Sequence, residues 1–238
     1  MSGLKQYKKD FGYSYTFGVY PTLELLKYQP RTVLNVFVSP SGLQNTGVAE
    51  IRKICEDRQI QCEVSAGAVE KLTKTENSYA AGVFRKYESS LDANANHVVL
   101  VQPEDKGNLG SICRSMLAFD VTNLAIIKPA VDIFDPKVVR ASMGAIFRMS
   151  FQYFSTFDEY MSVFHRNYYP FLTEATTLLS GITFAPPYSL IFGSESSGLS
   201  RKYQNLGTPV KIPQSDMVDS LNLSLSVGIS LYEASKKK

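Results

Sequence analysis

Histidine is scarce in this sequence. His97 and His165 are the only two in 238 residues, and neither stands in a partner pattern. A histidine-centred catalytic triad and a zinc site are therefore not expected. Cysteine is almost as rare. Cys55, Cys62 and Cys113 are odd in number and lack metal-ligand spacing, which fits a reduced, cytoplasmic protein better than a disulfide framework. No apolar run reaches the roughly 18 residues that a membrane span needs. The start of the chain, Met1 to Lys9, is polar and basic with no apolar stretch behind it, so no secretory signal peptide is expected. Internal repeats and low-complexity segments are absent, apart from the terminal Lys236-Lys237-Lys238.

Charge of one sign is also in short supply. The net charge is +3, with hydrophobic content of 44% and charged content of 20%, values of an ordinary globular protein. Residues 1–90 hold 12 Lys/Arg and 9 Asp/Glu, whereas residues 91–238 hold 13 of each. The basic excess belongs to the N-terminal part. It permits contact with a polyanion without requiring one.

Organisation along the chain is clearer. The polar run Ser89-Ser90-Leu91-Asp92-Ala93-Asn94-Ala95-Asn96 reads as a linker, dividing residues 1–90 from 91–238. The first piece alternates helix-like and strand-like segments. Thr22 to Lys27, Val48 to Arg58 and Ala68 to Leu72 suit helices; Val33 to Val38, Ile60 to Val64 and Gly82 to Phe84 suit strands. The second piece repeats the theme, with strands at Val98–Val101, Leu124–Ile127, Phe147–Phe154, Ser189–Phe192 and Val210–Ile212. Helices are expected at Leu109–Phe119, Pro136–Arg140 and Phe157–Tyr168. Such alternation predicts an α/β fold with a mostly parallel sheet and ligands at the carboxyl ends of its strands.

Three constellations fall at those ends. Asn108-Leu109-Gly110-Ser111-Ile112-Cys113-Arg114 follows a strand and a polar loop. Asn108 can cap the helix, and Arg114 lies about a turn and a half into it, with five donors that suit a phosphate or carboxylate. An ordinary cap and a solvated arginine would look the same, and the glycine spacing is not that of a dinucleotide fingerprint. Gly193-Ser194-Glu195-Ser196-Ser197-Gly198 follows a buried strand. It suits a tight loop that turns backbone N–H groups toward a ligand, with Glu195 as an anchor for a hydroxyl or amine; a plain β-turn is the alternative. The third is Ile212-Pro213-Gln214-Ser215-Asp216-Met217-Val218-Asp219-Ser220-Leu221-Asn222-Leu223-Ser224, where Asp219 or Ser220 could cap a last helix. Alternation from Leu221 to Leu231 says strand. Length and the closing basic residues favour a helix, which is the reading adopted.

Together, in order and spacing, these motifs resemble the SpoU/TrmH family of RNA ribose methyltransferases. That family carries Asn-x-Gly-x-x-x-Arg, a Gly-Ser/Ala-Glu-x-x-Gly loop and Ile-Pro-Met-x-Gly-x-Val-x-Ser-Leu-Asn-Val-Ser. The chain matches the first two fully. In the third it keeps Ile212, Pro213, Val218, Ser220, Leu221, Asn222 and Ser224, with Gln214 for Met and Asp216 for Gly. The resemblance implies a C-terminal α/β knot, a deep trefoil in which the last segment threads a loop, and a typically dimeric enzyme. It implies S-adenosyl-L-methionine held by backbone groups around Gly193, Ile212 and Leu221, with no metal. Arg114 would fix an RNA phosphate and stabilise developing alkoxide character. Asn108 would orient Arg114 or the ribose, Ser220 and Asn222 would shape the pocket, and Glu195 would fix the loop or a substrate hydroxyl. Residues 12–88 resemble the small RNA-binding α/β domain of many members, with Tyr79-Ala80-Ala81-Gly82 in place of the usual His-Gln-Gly element. The implied substrate is ribosomal or transfer RNA. A base methyltransferase, or an RNA-binding protein with a vestigial catalytic domain in which Asp216 crowds the cofactor, are the alternatives.

Overall fold

A computed structural model of the chain describes residues 5–73 and 78–236. The first four residues and the last two lysines of the expected basic termini lie outside them. The chain forms two compact units. The first takes residues 1–87 together with 132–148, and the second takes 88–131 and 149–238. The linker expected near 89–96 lies where the chain first passes between units. The return of 132–148 to the first unit is not visible in the sequence, because nothing local distinguishes that segment from its neighbours.

The first unit contains β1 (Tyr13–Phe17), α1 (Val19–Tyr28), β2 (Val33–Val38), α2 (Thr46–Asp57), β3 (Cys62–Val64), α3 (Ala66–Thr73), β4 (Ala80–Arg85) and α5 (Pro136–Ala141). Its sheet runs β1-β4-β2-β3, antiparallel except for the β2–β3 pair. Strand β1 has small polar residues on its buried face, Ser14 and Thr16, so apolar patterning misses it. Thr16 Oγ1 accepts from the Gly82 N–H at 2.8 Å, and a side chain at Gly82 would collide with that same oxygen. Ala80 and Ala81 are fully buried. The Tyr79–Gly82 stretch is therefore largely a packing element.

The second unit contains β5 (His97–Val101), α4 (Lys106–Ala118), β6 (Asn123–Ile127), β7 (Ser150–Phe154), α6 (Phe157–Val163), β8 (Asn167–Pro170), β9 (Thr177–Leu178), β10 (Tyr188–Phe192), β11 (Val210–Lys211) and α7 (Leu223–Ser235). Its main sheet runs β7-β6-β5-β10-β8, parallel throughout, and β9 pairs with β11. Helix α6 stops five residues short of the expected Tyr168, because Asn167–Pro170 pairs with β10 as an edge strand. Phe147 and Arg148 belong to a 3-10 turn instead of β7. Strand order reverses between β5 and β10, and such a switch point opens a crevice at the carboxyl ends.

One sheet face is closed by aromatic packing of Phe154, Phe157, Tyr160, Phe164 and Tyr203 around Val99, Ala125 and Ile191. At the amino end of the strands lies a buried polar chain. His97 Nε2 is 2.8 Å from the Asp92 carbonyl and Nδ1 is 2.8 Å from Tyr160 Oη, which is 2.6 Å from Ser189 Oγ. A carbonyl only accepts, so Nε2 carries the proton and Nδ1 accepts from the tyrosine. Burial holds the His97 pKa down, to about 4.

Helices α4 and α7 pack side by side. Asn222 meets Asn108, Gly228 approaches Ser115, and Tyr232 meets Phe119. The contacts advance in the same direction on both helices, so the pair is parallel and both N-termini lie together at the crevice. The alternation in α7 resolves into two apolar faces of one helix. Leu223, Val227 and Leu231 are buried, whereas Leu225, Ile229 and Tyr232 are 58%, 40% and 53% exposed.

Candidate active site

The loops after β8, β10 and β11 and the first turns of α4 and α7 enclose a cavity of about 600 Å³. Its polar wall comes from all three sequence motifs. Asn108, Gly193, Glu195, Ile212, Ser220, Leu221 and Asn222 line it. Arg114 does not; its side chain is exposed on α4, just over two turns into the helix, with no hydrogen bond or ion pair among the described residues. The structure therefore brings seven of the eight expected residues together.

One hydrogen-bonded relay joins the motifs. The Glu195 carboxylate accepts from the Glu104 N–H at 2.9 Å, the Asp105 N–H at 3.2 Å and Asn108 Nδ2 at 3.0 Å. Asn108 Oδ1 then accepts from Asn222 Nδ2 at 3.1 Å. Asn222 Oδ1 is left to accept from the Ser224 and Leu225 N–H groups at 2.9 and 3.4 Å. The order is chemically forced. A carboxylate offers only acceptors, so Asn108 must turn its NH2 toward Glu195 and its oxygen toward Asn222. Asn222 must donate in turn, and its own oxygen becomes the N-cap of α7. Local sequence suggested other caps. Asp105 rather than Asn108 caps α4, accepting from the Asn108 N–H at 2.7 Å, and Asn222 rather than Asp219 or Ser220 caps α7. Asn108 is tied to Glu195 and Asn222, not to Arg114.

Gly193 is fixed by sterics. A Cβ there would stand 1.9 Å from the Gly198 carbonyl carbon and 2.2 Å from the Leu199 nitrogen. Only a bare backbone lets the 193–199 loop fold back on itself, with Gly198 N–H donating to Ser194 O at 3.0 Å.

The opposite wall is apolar. Phe171 and Phe192 stack with ring centroids 4.5 Å apart, and Val210 and Leu223 also line the cavity. The 171–173 loop was missed by sequence reasoning, which ran α6 too far. The charged lining residues are all acidic: Asp105, Glu195 and Asp219. Asp105 and Glu195 are committed to backbone N–H groups, whereas the Asp219 carboxylate has no partner among the described residues. A pocket with this charge favours a cationic ligand and disfavours a polyphosphate. Asp216 is exposed and is not part of the lining, so it does not crowd the pocket. Gln214 does line it, its side chain reaching the Val218 and Asp219 carbonyls at 3.4 and 3.3 Å. Among the described residues, no group of histidine, cysteine and carboxylate side chains could hold a metal ion, and no helix is long and apolar enough to cross a membrane.

The SpoU rRNA Methylase family model matches residues 95–232. An uncharacterised tRNA/rRNA methyltransferase of Synechocystis is 36% identical over 145 residues, which is 59% of this chain and 53% of that protein. The matched stretch thus spans about half of that relative. A 23S rRNA (adenosine(1067)-2′-O)-methyltransferase of Streptomyces laurentii is 29% identical over 198 residues, 77% of this chain and 72% of that protein. A SpoU methyltransferase of Streptomyces viridochromogenes, solved with its cofactor AdoMet, shares the fold with a TM-score of 0.81 at 22% identity, over 94% of this chain and 90% of that one.

Proposed function

This chain belongs to the SpoU rRNA methylase family, and on that premise we propose that it methylates a ribose 2′-hydroxyl of RNA using S-adenosyl-L-methionine. The observation that carries the reading is the Glu195–Asn108–Asn222 relay, which fastens three separated motifs around one cavity. The residues present fit the cofactor. The volume suits a ligand of its size, the stacked phenylalanines offer an apolar wall, and uncompensated acidic charge suits a sulfonium bearing an ammonium group. Backbone groups at Gly193, Ile212 and Leu221 would hold it. When bound, the cofactor supplies an electrophilic methyl group on a good leaving group.

The protein's tasks are then to position the hydroxyl and receive its proton. The Asp219 carboxylate, unpartnered in the lining, is the group available to take that proton. Arginine keeps its own proton at any ordinary pH, so Arg114 serves to hold phosphate and balance developing alkoxide charge. Its absence from the lining, together with the uncovered Leu225–Ile229–Tyr232 stripe on the adjoining helix, supports a homodimer in which Arg114 completes the partner's pocket. The packing of α7 against α4, rather than against its neighbours in sequence, supports the deep trefoil knot of the family. The first unit, with the basic excess, serves as the RNA-binding domain of a cytoplasmic enzyme, and ribosomal RNA is the preferred substrate.

The test is transfer of labelled methyl groups to RNA from a strain lacking the protein, followed by alkaline hydrolysis. Ribose methylation protects the adjacent phosphodiester. A methylated but alkali-sensitive product would point to a base as acceptor, and no cofactor binding at millimolar concentration would point to a vestigial domain.

A further inference from the structure

A second cavity, of about 290 Å³, opens beside the first at the carboxyl ends of β5, β6 and β7. The two share a wall, the Ser197-Gly198 part of the 193–199 loop. Two cations stand at its rim, Lys128 at the end of β6 and Lys202 in the 3-10 turn Arg201–Asn205. Neither has an ion-pair partner among the described residues. Each ammonium lies over a tyrosine ring, Lys128 5.9 Å from the Tyr153 centroid and Lys202 5.3 Å from that of Tyr203.

Donors surround the cations. Ser155, Thr156 and Ser200 contribute hydroxyls. The Thr156 oxygen accepts from the Glu159 N–H at 3.1 Å, leaving its O–H free to donate outward. The Glu159 carboxylate accepts from the Ser155 N–H at 2.6 Å, and no carboxylate side chain lines the cavity. Gln102, at the lip after β5, holds a left-handed φ of +55°, a conformation that non-glycine residues adopt at a cost and often at functional sites. The floor is the buried pair Phe157 and Tyr203. Charge is thus opposite in the two adjoining cavities: acidic where the methyl donor is placed, basic here.

We propose that this second cavity is a phosphate subsite, in which Lys128 and Lys202 grip a backbone phosphate of the RNA beside the target nucleotide. The inference rests on the methyltransferase reading for its location along the substrate. It depends only on charge and donors for its chemistry, since ammonium groups and hydroxyls without competing carboxylates select a phosphodiester. The two lysines act as positioning residues: they hold the strand against the shared loop and do not touch the reacting atoms.

The test uses the full-length protein with Lys128 and Lys202 changed together to Gln, and separately together to Arg. Both positions are exposed, and far-UV circular dichroism and cofactor calorimetry check that the variants fold. Binding of a labelled twelve-residue oligouridylate is followed against salt, and methyl transfer is followed on unmodified ribosomal and transfer RNA. The Gln variant is expected to raise KM for RNA about tenfold with kcat within about twofold, and to reduce the slope of log affinity against log salt by roughly 1.4, or about 0.7 per lost phosphate contact. The Arg variant restores both. An unchanged KM and salt slope in the Gln variant would overturn the subsite while leaving the enzyme reading intact. If the wild-type protein methylates neither RNA, the enzyme reading fails, and the oligouridylate slope alone still decides whether the lysines bind phosphate.

Discussion

Asn222 donates to Asn108 across 114 residues of chain at 3.1 Å, and the same Asn222 side chain caps α7. A single amide thus starts the last helix and ties it to the helix that follows β5. Its two ends are separable by substitution. Asn222→Ser keeps a cap oxygen but loses the donor to Asn108, whereas Asn222→Ala loses both. The alanine variant is expected to cost about 1 kcal/mol in stability, and both variants to weaken cofactor binding. Urea unfolding and calorimetry measured side by side check this; a serine variant with wild-type cofactor affinity would leave the relay without a role in binding.

Glu195 is the acceptor on which the relay's direction depends. Glu195→Gln replaces one carboxylate oxygen by an NH2 that faces donors in the wall, either a backbone N–H or the Asn108 amide. A loss of roughly 1–3 kcal/mol is expected, seen as a lower urea midpoint at an unchanged m-value. Asn108→Asp should be worse than Asn108→Ala, because it sets a second carboxylate against Glu195 at hydrogen-bond distance.

Arg114 is exposed, so Arg114→Ala should change stability by less than about 0.5 kcal/mol and leave cofactor affinity unchanged while abolishing methyl transfer. If the arginine serves the partner's pocket, mixing Arg114→Ala with Glu195→Ala and allowing the subunits to exchange restores about a quarter of wild-type activity, since one site of each mixed dimer is intact. No recovery places the arginine in its own protomer's reaction.

The outer stripe of α7 predicts the assembly. Leu225→Glu and Ile229→Glu together should produce a monomer in sedimentation velocity, with the fold retained because neither side chain is buried. A wild-type protein that sediments as a monomer at micromolar concentration would rule out the dimer.

His97 makes stability depend on pH. Its folded pKa, about 4, lies below the value near 6.5 of an unfolded histidine, so the unfolded chain binds more protons between those values. Stability is complete above about pH 6.5 and falls as the pH drops toward 4, by at most about 3 kcal/mol. Protonating Nδ1 removes the acceptor of the Tyr160 hydroxyl. His97→Gln should flatten this part of the profile, read as the urea midpoint against pH.

The sequence by itself determined which residues meet. Motif order and spacing identified the family, and seven of the eight expected residues share one cavity, because a parallel sheet collects the ends of successive strands at one edge whatever the connections contain. Apolar strands and the switch to helical spacing were legible for the same reason: burial imposes a period on the chain. Only the tertiary structure decided how the polar groups divide the work. Asn108, Asp105, Ser220 and Asn222 all suit a helix cap locally, and the choice among them fell to a carboxylate some ninety residues away that can only accept. The alternation in α7 was ambiguous for a related reason, since half of its apolar residues face the core and half form a stripe on the surface, a division that depends on what packs against the helix rather than on the helix itself.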